Sequence, residues 1–410
     1  MKYKSLFESV LSLSILNLLN MVLPLVTLPY LLKIVGLSNY GAYSIVYTII
    51  QYALLFSQYG FQFSTTRLIS MNRENPEIIN EIFNSTIFAR LLLSFGSLFF
   101  FFVTTMFYNK HEYMLMYIYG IGIVIGDALN PQWIFQGMEK MRYMTVVNVI
   151  CKVIFTILIF VFIKEERDYI YIPLLNALGF IFSGFISLWL AQNIFHIHFY
   201  IPKIQSILTQ IKEGWYIFVS NLFINLYRNS NVLVLSFFLP EASVGMYTSA
   251  EKMIKAAQSV ASPISNAFYP HFANKIAQGS IISPLLKLSK YMALFLAFIT
   301  LITIFGADFL NKLFLDSDAP YIATLIRIMA PVILFGGINY ILGIVGLVNI
   351  GKQRDFTKSV IISGCVSILF LLIMVNIIGV SSAAWAMVLS ELILMVLCVR
   401  YLFNKNVSLQ

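Results

Sequence analysis

Twelve stretches of this chain are long and apolar enough to cross a bilayer as helices, which takes roughly 20 apolar residues each. They fall at about 7–32, 40–63, 82–107, 113–136, 143–163, 169–194, 214–238, 244–270, 288–307, 320–346, 357–378 and 381–402. Hydrocarbon cannot satisfy peptide groups, so spanning segments are helices or closed barrels. Segments of this length predict helices, hence an all-α integral membrane protein. Only 11% of the 410 residues are charged, under half the roughly 25% of soluble domains. An ordinary soluble enzyme or a disordered chain cannot be made from such a composition.

Turn and charge signals punctuate the spans, as at 72–76, 164–167 and 316–318. No connection exceeds about 20 residues, so no soluble domain is inserted. Lys2 and Lys4 precede an apolar run holding Glu8, Asn17 and Asn20, with no small-x-small cleavage site after it. This start reads as a first span and not as a cleaved leader. The net charge of +9 then belongs to topology: it reflects cytoplasmic loops, not nucleic acid. Sixteen of the 27 Lys and Arg residues fall on the termini and even-numbered connections, among them Arg67, Arg73, Lys140, Lys203, Lys212 and Lys352. Five fall on the odd ones: Lys33, Lys110, Lys164, Arg167 and Lys312. This bias predicts an even number of spans with both termini in the cytoplasm.

The halves resemble each other. Gly36, Gly41 and Tyr43 lie at the first inter-span junction, and Gly245 and Tyr247 lie at the seventh. The shift that superimposes Tyr43 on Tyr247 also places Asn17 on Asn221. Two six-helix lobes are expected, 1–196 and 213–410, joined by a cytoplasmic linker at 197–212. Such repeats are the usual construction of secondary transporters, with the substrate site between the halves.

Six cations remain inside spans: Arg90, Lys152, Arg228, Lys252, Lys255 and Arg327. Each costs on the order of 2.5–3.5 kcal/mol at the bilayer centre. Six facing lipid would exceed a typical folding stability. Arg327 lies near a span end and can snorkel; the others must face water, protein or partners. Asn221, Asn225 and Arg228 share one helical face, as do Thr248, Glu251, Lys255, Ser259, Ser262 and Asn266. Asn148, Lys152 and Thr156 form another stripe, and Asn17, Asn20 and Thr27 a fourth. Interhelical hydrogen bonding accounts for lone amides, whereas the clustered cations predict a water-filled cavity. The expected cationic lining is Arg90, Lys152, Arg228 and Lys255, with Asn17, Asn221 and Asn225. Acids within spans number three: Asp127, Glu251 and Glu391. Glu251 and Lys255 can pair at i, i+4. All three acids are candidates for coupling transport to protons or sodium ions, with interhelical ion pairing as the competing role.

Several motifs fail. Gly346 to Lys352 opens like a phosphate-binding loop, but Gln353 replaces the Ser/Thr and no strand precedes it; it reads as a helix C-cap. The four histidines lack metal-site spacing, the three cysteines (Cys151, Cys365, Cys398) form no CxxC, and no catalytic triad can be assembled. No metal, cofactor or enzymatic role is expected. Gly122 and Gly126, four apart, predict a close helix–helix contact.

The stretch Asn130-Pro131-Gln132-Trp133-Ile134-Phe135-Gln136-Gly137-Met138-Glu139-Lys140-Met141 resembles a segment of Wzx-type O-antigen flippases, in the polysaccharide-transport branch of the superfamily that contains MATE exporters. Pro29-Tyr30, Gly36, Gly41, Tyr43, Gly60, Arg67 and Arg90 are similar to that family's opening. The resemblance is specific over about 15–165 and looser beyond. It implies a twelve-helix, MATE-like fold in the bacterial inner membrane. It implies movement of undecaprenyl-diphosphate-linked repeat units to the periplasmic leaflet, with membrane lipids and other polysaccharide-assembly proteins as partners. The span-embedded cations suit a diphosphate. Two alternatives stay open: a MATE-like exporter of small amphiphiles, and a membrane-embedded polymerase, which would need a large periplasmic loop.

Overall fold

A computed structural model describes residues 2–108, 111–260, 282–315, 320–348 and 350–403. Among them every regular element is a helix. It divides into two compact units, Met1–Leu222 and Phe223–Gln410, the division falling inside one helix.

The first unit opens on α1 (Lys2–Gln58), broken at Gly36, whose φ of 77° and ψ of 168° are non-helical. With a Cβ that conformation is strained. Nine stretches among the described residues have the length and apolarity of membrane spans, and Leu19–Met71 is one of them. Its 53 residues would extend about 80 Å at 1.5 Å per residue, far beyond one hydrocarbon core. The Gly36 break falls between the stretches expected as separate crossings at 7–32 and 40–63. After a second break at Tyr59 and Gly60 come α2 (Phe61–Met71), α3 (Pro76–Tyr108), α4 (His111–Ala128), α5 (Gln132–Gly137), α6 (Met141–Phe162) and α7 (Ile172–Phe195). Helix α8 (Ile204–Phe238) starts in this unit.

Helix α1 packs on α3, α4 and α6, and α4 lies against α7. The α4–α7 contact rests on the spaced glycines. A Cβ on Gly126 would lie 2.5 Å from the Phe180 carbonyl carbon, and one on Gly122 2.9 Å from Ala177 Cβ. At one end of the unit the connections after α2, α5 and α7 converge on an aromatic core of Phe83, Trp133, Phe135, Met141 and Ile197. Arg73 and Glu139 pair at 2.7 Å between two of those connections, and Lys140 lies over the Phe195 ring. The even-numbered, cation-rich connections of this unit thus assemble together.

The second unit holds the rest of α8, then α9 (Glu241–Gln258), α10 (Ile282–Phe305), α11 (Ala307–Leu315), α12 (Pro320–Met329), α13 (Pro331–Asn339), a π-helical segment Tyr340–Val348, α14 (Gln353–Ile378) and α15 (Ser381–Phe403). Helix α9 packs on α12 and α13, and α14 pairs with α15. The expected tenth span is divided by Pro331 and the π segment. After the π segment Gly351 turns left-handed at φ 78° before α14 begins. Neither α8 nor α9 is apolar enough over 18 residues to stand among the nine spans, although Asn229–Phe238 forms a shorter apolar helix. Their polar stripes lower the mean hydropathy. Ser262 and Asn266 of the eighth-span stripe lie outside the described residues, as does the end of that span.

Substituting Gly126 by Val forces α4 and α7 apart. We expect a loss of about 1–3 kcal/mol, the usual cost of overpacking a tight core. A lower melting temperature of detergent-purified protein checks it, with Gly96→Val as control, since a Cβ there meets nothing within 4 Å.

Candidate functional site

Two helix interruptions lie beside each other in the first unit. Chain breaks leave terminal carbonyls without intrahelical partners, and α1 stops at Gln58 while α4 stops at Ala128. Tyr59 (φ 48°) and Gly60 (φ 137°) form the first break, Leu129, Asn130 and Pro131 the second. Proline at 131 has no N–H and disfavours helix in the residue before it. Gly60 is pressed from outside as well: a Cβ there would lie 2.8 Å from Ile217 of α8.

Arg90, on α3, joins both breaks. Its Nε donates to the Ser57 carbonyl at 3.1 Å, one terminal nitrogen to the Asn130 carbonyl at 2.6 Å and the other to Asp127 at 2.7 Å. Ser57 Oγ donates to the same carboxylate at 3.3 Å and Gln58 to its other oxygen at 3.4 Å. The pair is secluded, with side-chain exposures of 6% for Arg90 and 15% for Asp127. Asn130 extends the network to Asn148 and Ser183, each at 3.4 Å, and Ser183 donates to Asn148 at 2.7 Å. Arg90 thus ties α3 to the ends of α1 and α4, and Asn130 carries the network on to α6 and α7. Beyond the breaks α2 and α5 run on together: Gln62 donates to Gln136, and Thr66 to the Trp133 carbonyl at 3.3 Å.

Lys152, half-buried on α6, donates to Asn20 of α1 and lies within electrostatic reach of Asp127. Arg90, Asp127 and Lys152 therefore belong to one polar region. Asn17 and Arg228 lie on described helices, but their side chains are outside the described residues. Asn221 and Asn225 are half-buried along α8, and Asn225 accepts from Asn229 at 3.3 Å.

In the second unit a relay crosses α8 and α9. Asn231 donates to Tyr247 Oη at 2.9 Å, Tyr247 donates to Glu251 at 3.2 Å, and Glu251 pairs with Lys255 at 3.0 Å. Lys255 keeps 41% of its side chain exposed, against 10% for Glu251. Glu391, on α15, accepts from Asn339 at 2.6 Å, and the same amide nitrogen reaches the Glu391 carbonyl at 2.8 Å. Asn339 is the last residue of α13 before the π segment. Arg327 pairs with the exposed Asp308, in keeping with a place near a span end. No group of three or more His, Cys, Asp and Glu suited to a metal occurs among the described residues.

Sequence reasoning placed Arg90 in a cavity lining and gave Asp127 two competing roles, ion coupling and interhelical ion pairing; the structure pairs the two residues. Their separation along the chain hid the contact. It also missed Ser57, Asn231 and Asn339. The Tyr59-Gly60 and Asn130-Pro131 dipeptides were the available signals of the breaks.

Removing one member of a buried pair strands the other and costs about 3–5 kcal/mol. Arg90→Gln and Asp127→Asn should each melt well below the parent protein, and the double variant should lose less than the sum. Arg90→Lys should fail to rescue, because a point ammonium cannot replace three divergent donors. Thermal unfolding of the four variants checks this; strict additivity contradicts the pairing.

Comparison with known proteins agrees with this architecture. The family described as "Polysaccharide biosynthesis protein" matches residues 6–275. A candidate O-antigen transporter of Escherichia coli (strain K12) is 24% identical over 407 residues, 98% of both chains. The fold is shared with the lipid II flippase MurJ in an inward closed conformation, at TM-score 0.77 and 16% identity over 95% of this chain and 86% of that one. It is shared too with an inward-facing multidrug resistance MATE family transporter of the MOP superfamily, at TM-score 0.72 and 14% identity over 96% and 97%. The chain is a multi-pass integral membrane protein, in a bacterium of the inner membrane, and it belongs to the polysaccharide biosynthesis protein family.

Proposed function

We propose that the chain is a flippase. It carries undecaprenyl-diphosphate-linked O-antigen or related polysaccharide repeat units from the cytoplasmic to the periplasmic leaflet by alternating access. The observation that carries this reading is the surplus of cations within apolar helices, in a chain related over its full length to a candidate O-antigen transporter. A diphosphate needs such cations, whereas a cationic amphiphile, the other class of cargo compatible with a MATE-like fold, is repelled by them.

The reading assigns twelve crossings, with both termini in the cytoplasm, and two six-helix lobes at 1–196 and 213–410 joined by 197–212. The convergence of the cation-rich even connections at one end of the first unit supports that orientation. Lys152, Arg228 and Lys255 supply a cationic central cavity, with Asn17, Asn221 and Asn225 as hydrogen-bonding partners for phosphate and sugar oxygens. Arg90 serves the same region from behind, holding the broken helices that shape it. Transport is driven by a proton or sodium gradient in antiport. One charge crossing 100 mV yields about 2.3 kcal/mol. Glu251, through its tyrosine relay, and Glu391, through Asn339, are the coupling groups; Asp127 is committed to Arg90.

Arg228→Ala and Lys152→Ala should each lower surface polysaccharide at least tenfold at unchanged protein abundance, scored by polysaccharide immunoblot beside an epitope-tag blot. Polysaccharide retained in either variant removes that residue from the site. Glu391→Gln should flatten the pH or sodium dependence of transport in vesicles, and an unaltered profile rejects it as a coupling group.

A further inference from the structure

A second polar site lies in the first unit, away from the embedded cations. Residues 196–203 carry no regular structure, yet their backbone is fastened to the first turns of α3. Asn80 accepts from the His198 N–H at 3.0 Å, and Asn84 donates to the His198 carbonyl at 3.0 Å and accepts from the Tyr200 N–H at 3.2 Å. This clamp delivers the start of α8 against α3, where Ser206 donates to Glu81 at 2.8 Å.

Between the two helices is a cavity of about 160 Å³, lined by Glu81, Ile82, Ser85, Gln205, Ser206, Thr209 and Gln210. Gln210 is 6% exposed, and its side-chain carbonyl oxygen has no hydrogen-bond partner among the described residues. That oxygen is covered from solvent, so the polar groups the cavity presents come from the other lining atoms. The lining offers one carboxylate, two carboxamides and three hydroxyls around one aliphatic side chain, and no cation. Phosphate is repelled there. Vicinal sugar hydroxyls, each both donor and acceptor, fit this mixture, and Ile82 offers a surface to the C–H face of a ring. The volume equals about five waters at roughly 30 Å³ each, room for a single sugar ring. Lys203, just before α8, is not among the lining residues, and Lys212 lines a separate cavity of about 310 Å³ with Tyr59, Trp215 and Tyr216.

We propose that the α3–α8 cavity is a saccharide subsite that takes one sugar residue of the glycan where the even-numbered connections meet, before translocation. The proposal rests on the flippase reading for its substrate. It separates recognition of the glycan from recognition of the diphosphate.

The test uses the full-length protein in two formats. In proteoliposomes, Gln210→Leu and Thr209→Val should raise KM for an undecaprenyl-diphosphate-linked oligosaccharide about fivefold to twentyfold, with kcat kept. Transport of sugar-free undecaprenyl diphosphate should stay at the parent rate. Equal losses on both lipids make the cavity a packing feature, and unchanged KM leaves it without a role; either overturns the proposal. In detergent, saturation-transfer NMR with methyl hexosides and N-acetylhexosamines should detect contact with the parent protein and lose it in both variants. Should the parent protein move neither lipid, the flippase reading fails, and the NMR result still decides the subsite: signal that survives both substitutions, or none with the parent, rejects it.

Discussion

The first unit depends on Arg90. Two apolar helices stop and restart beside each other, and each break frees carbonyls that lose their intrahelical partners. One guanidinium supplies donors to both carbonyls and pairs with Asp127 at 2.7 Å. Its planar fork suits this task, since its five N–H groups diverge at fixed angles. Without it, the breaks at 59–60 and 129–131 would each need water or a rearranged backbone. With it they become a fixed junction, from which α2 and α5 extend as a unit over the Phe83–Trp133 core.

The second unit solves the same problem differently. Its embedded acids have amide and phenol partners: Tyr247 donates to Glu251, which also pairs with Lys255 at 3.0 Å, and Asn339 donates to Glu391. In the proposed cycle Arg90 and Asp127 form the rigid junction of the first unit, and ion exchange falls to the second unit's acids. The π segment beginning at Tyr340, next to Asn339, adds a local departure from regular helix of the kind often found at functional positions.

The sequence already disclosed much of this. Length and apolarity of the segments marked an all-helical membrane chain, and the Gly122–Gly126 spacing marked a contact that the structure seats on Ala177 and Phe180. Glu251 and Lys255, one helical turn apart, were legible as a pair. Arg90 and Asp127 were not, because periodicity reports which face a residue occupies and not which helix lies opposite. Asn231 and Asn339 escaped notice for a related reason: a single amide on an apolar helix carries no signal until its partner is known. The clamp of Asn80 and Asn84 on the 198–200 backbone was hidden because those amides sit at a span's start, where polar residues are ordinary.

The central claim is that this chain moves a lipid-linked glycan, and it is tested most directly in a strain lacking the gene. Surface polysaccharide and the leaflet distribution of the lipid-linked repeat unit are measured together, with drug susceptibility alongside. The account predicts loss of surface polysaccharide, accumulation of the lipid-linked unit on the cytoplasmic leaflet, and unchanged drug susceptibility. Normal polysaccharide together with heightened susceptibility to cationic amphiphiles would contradict it.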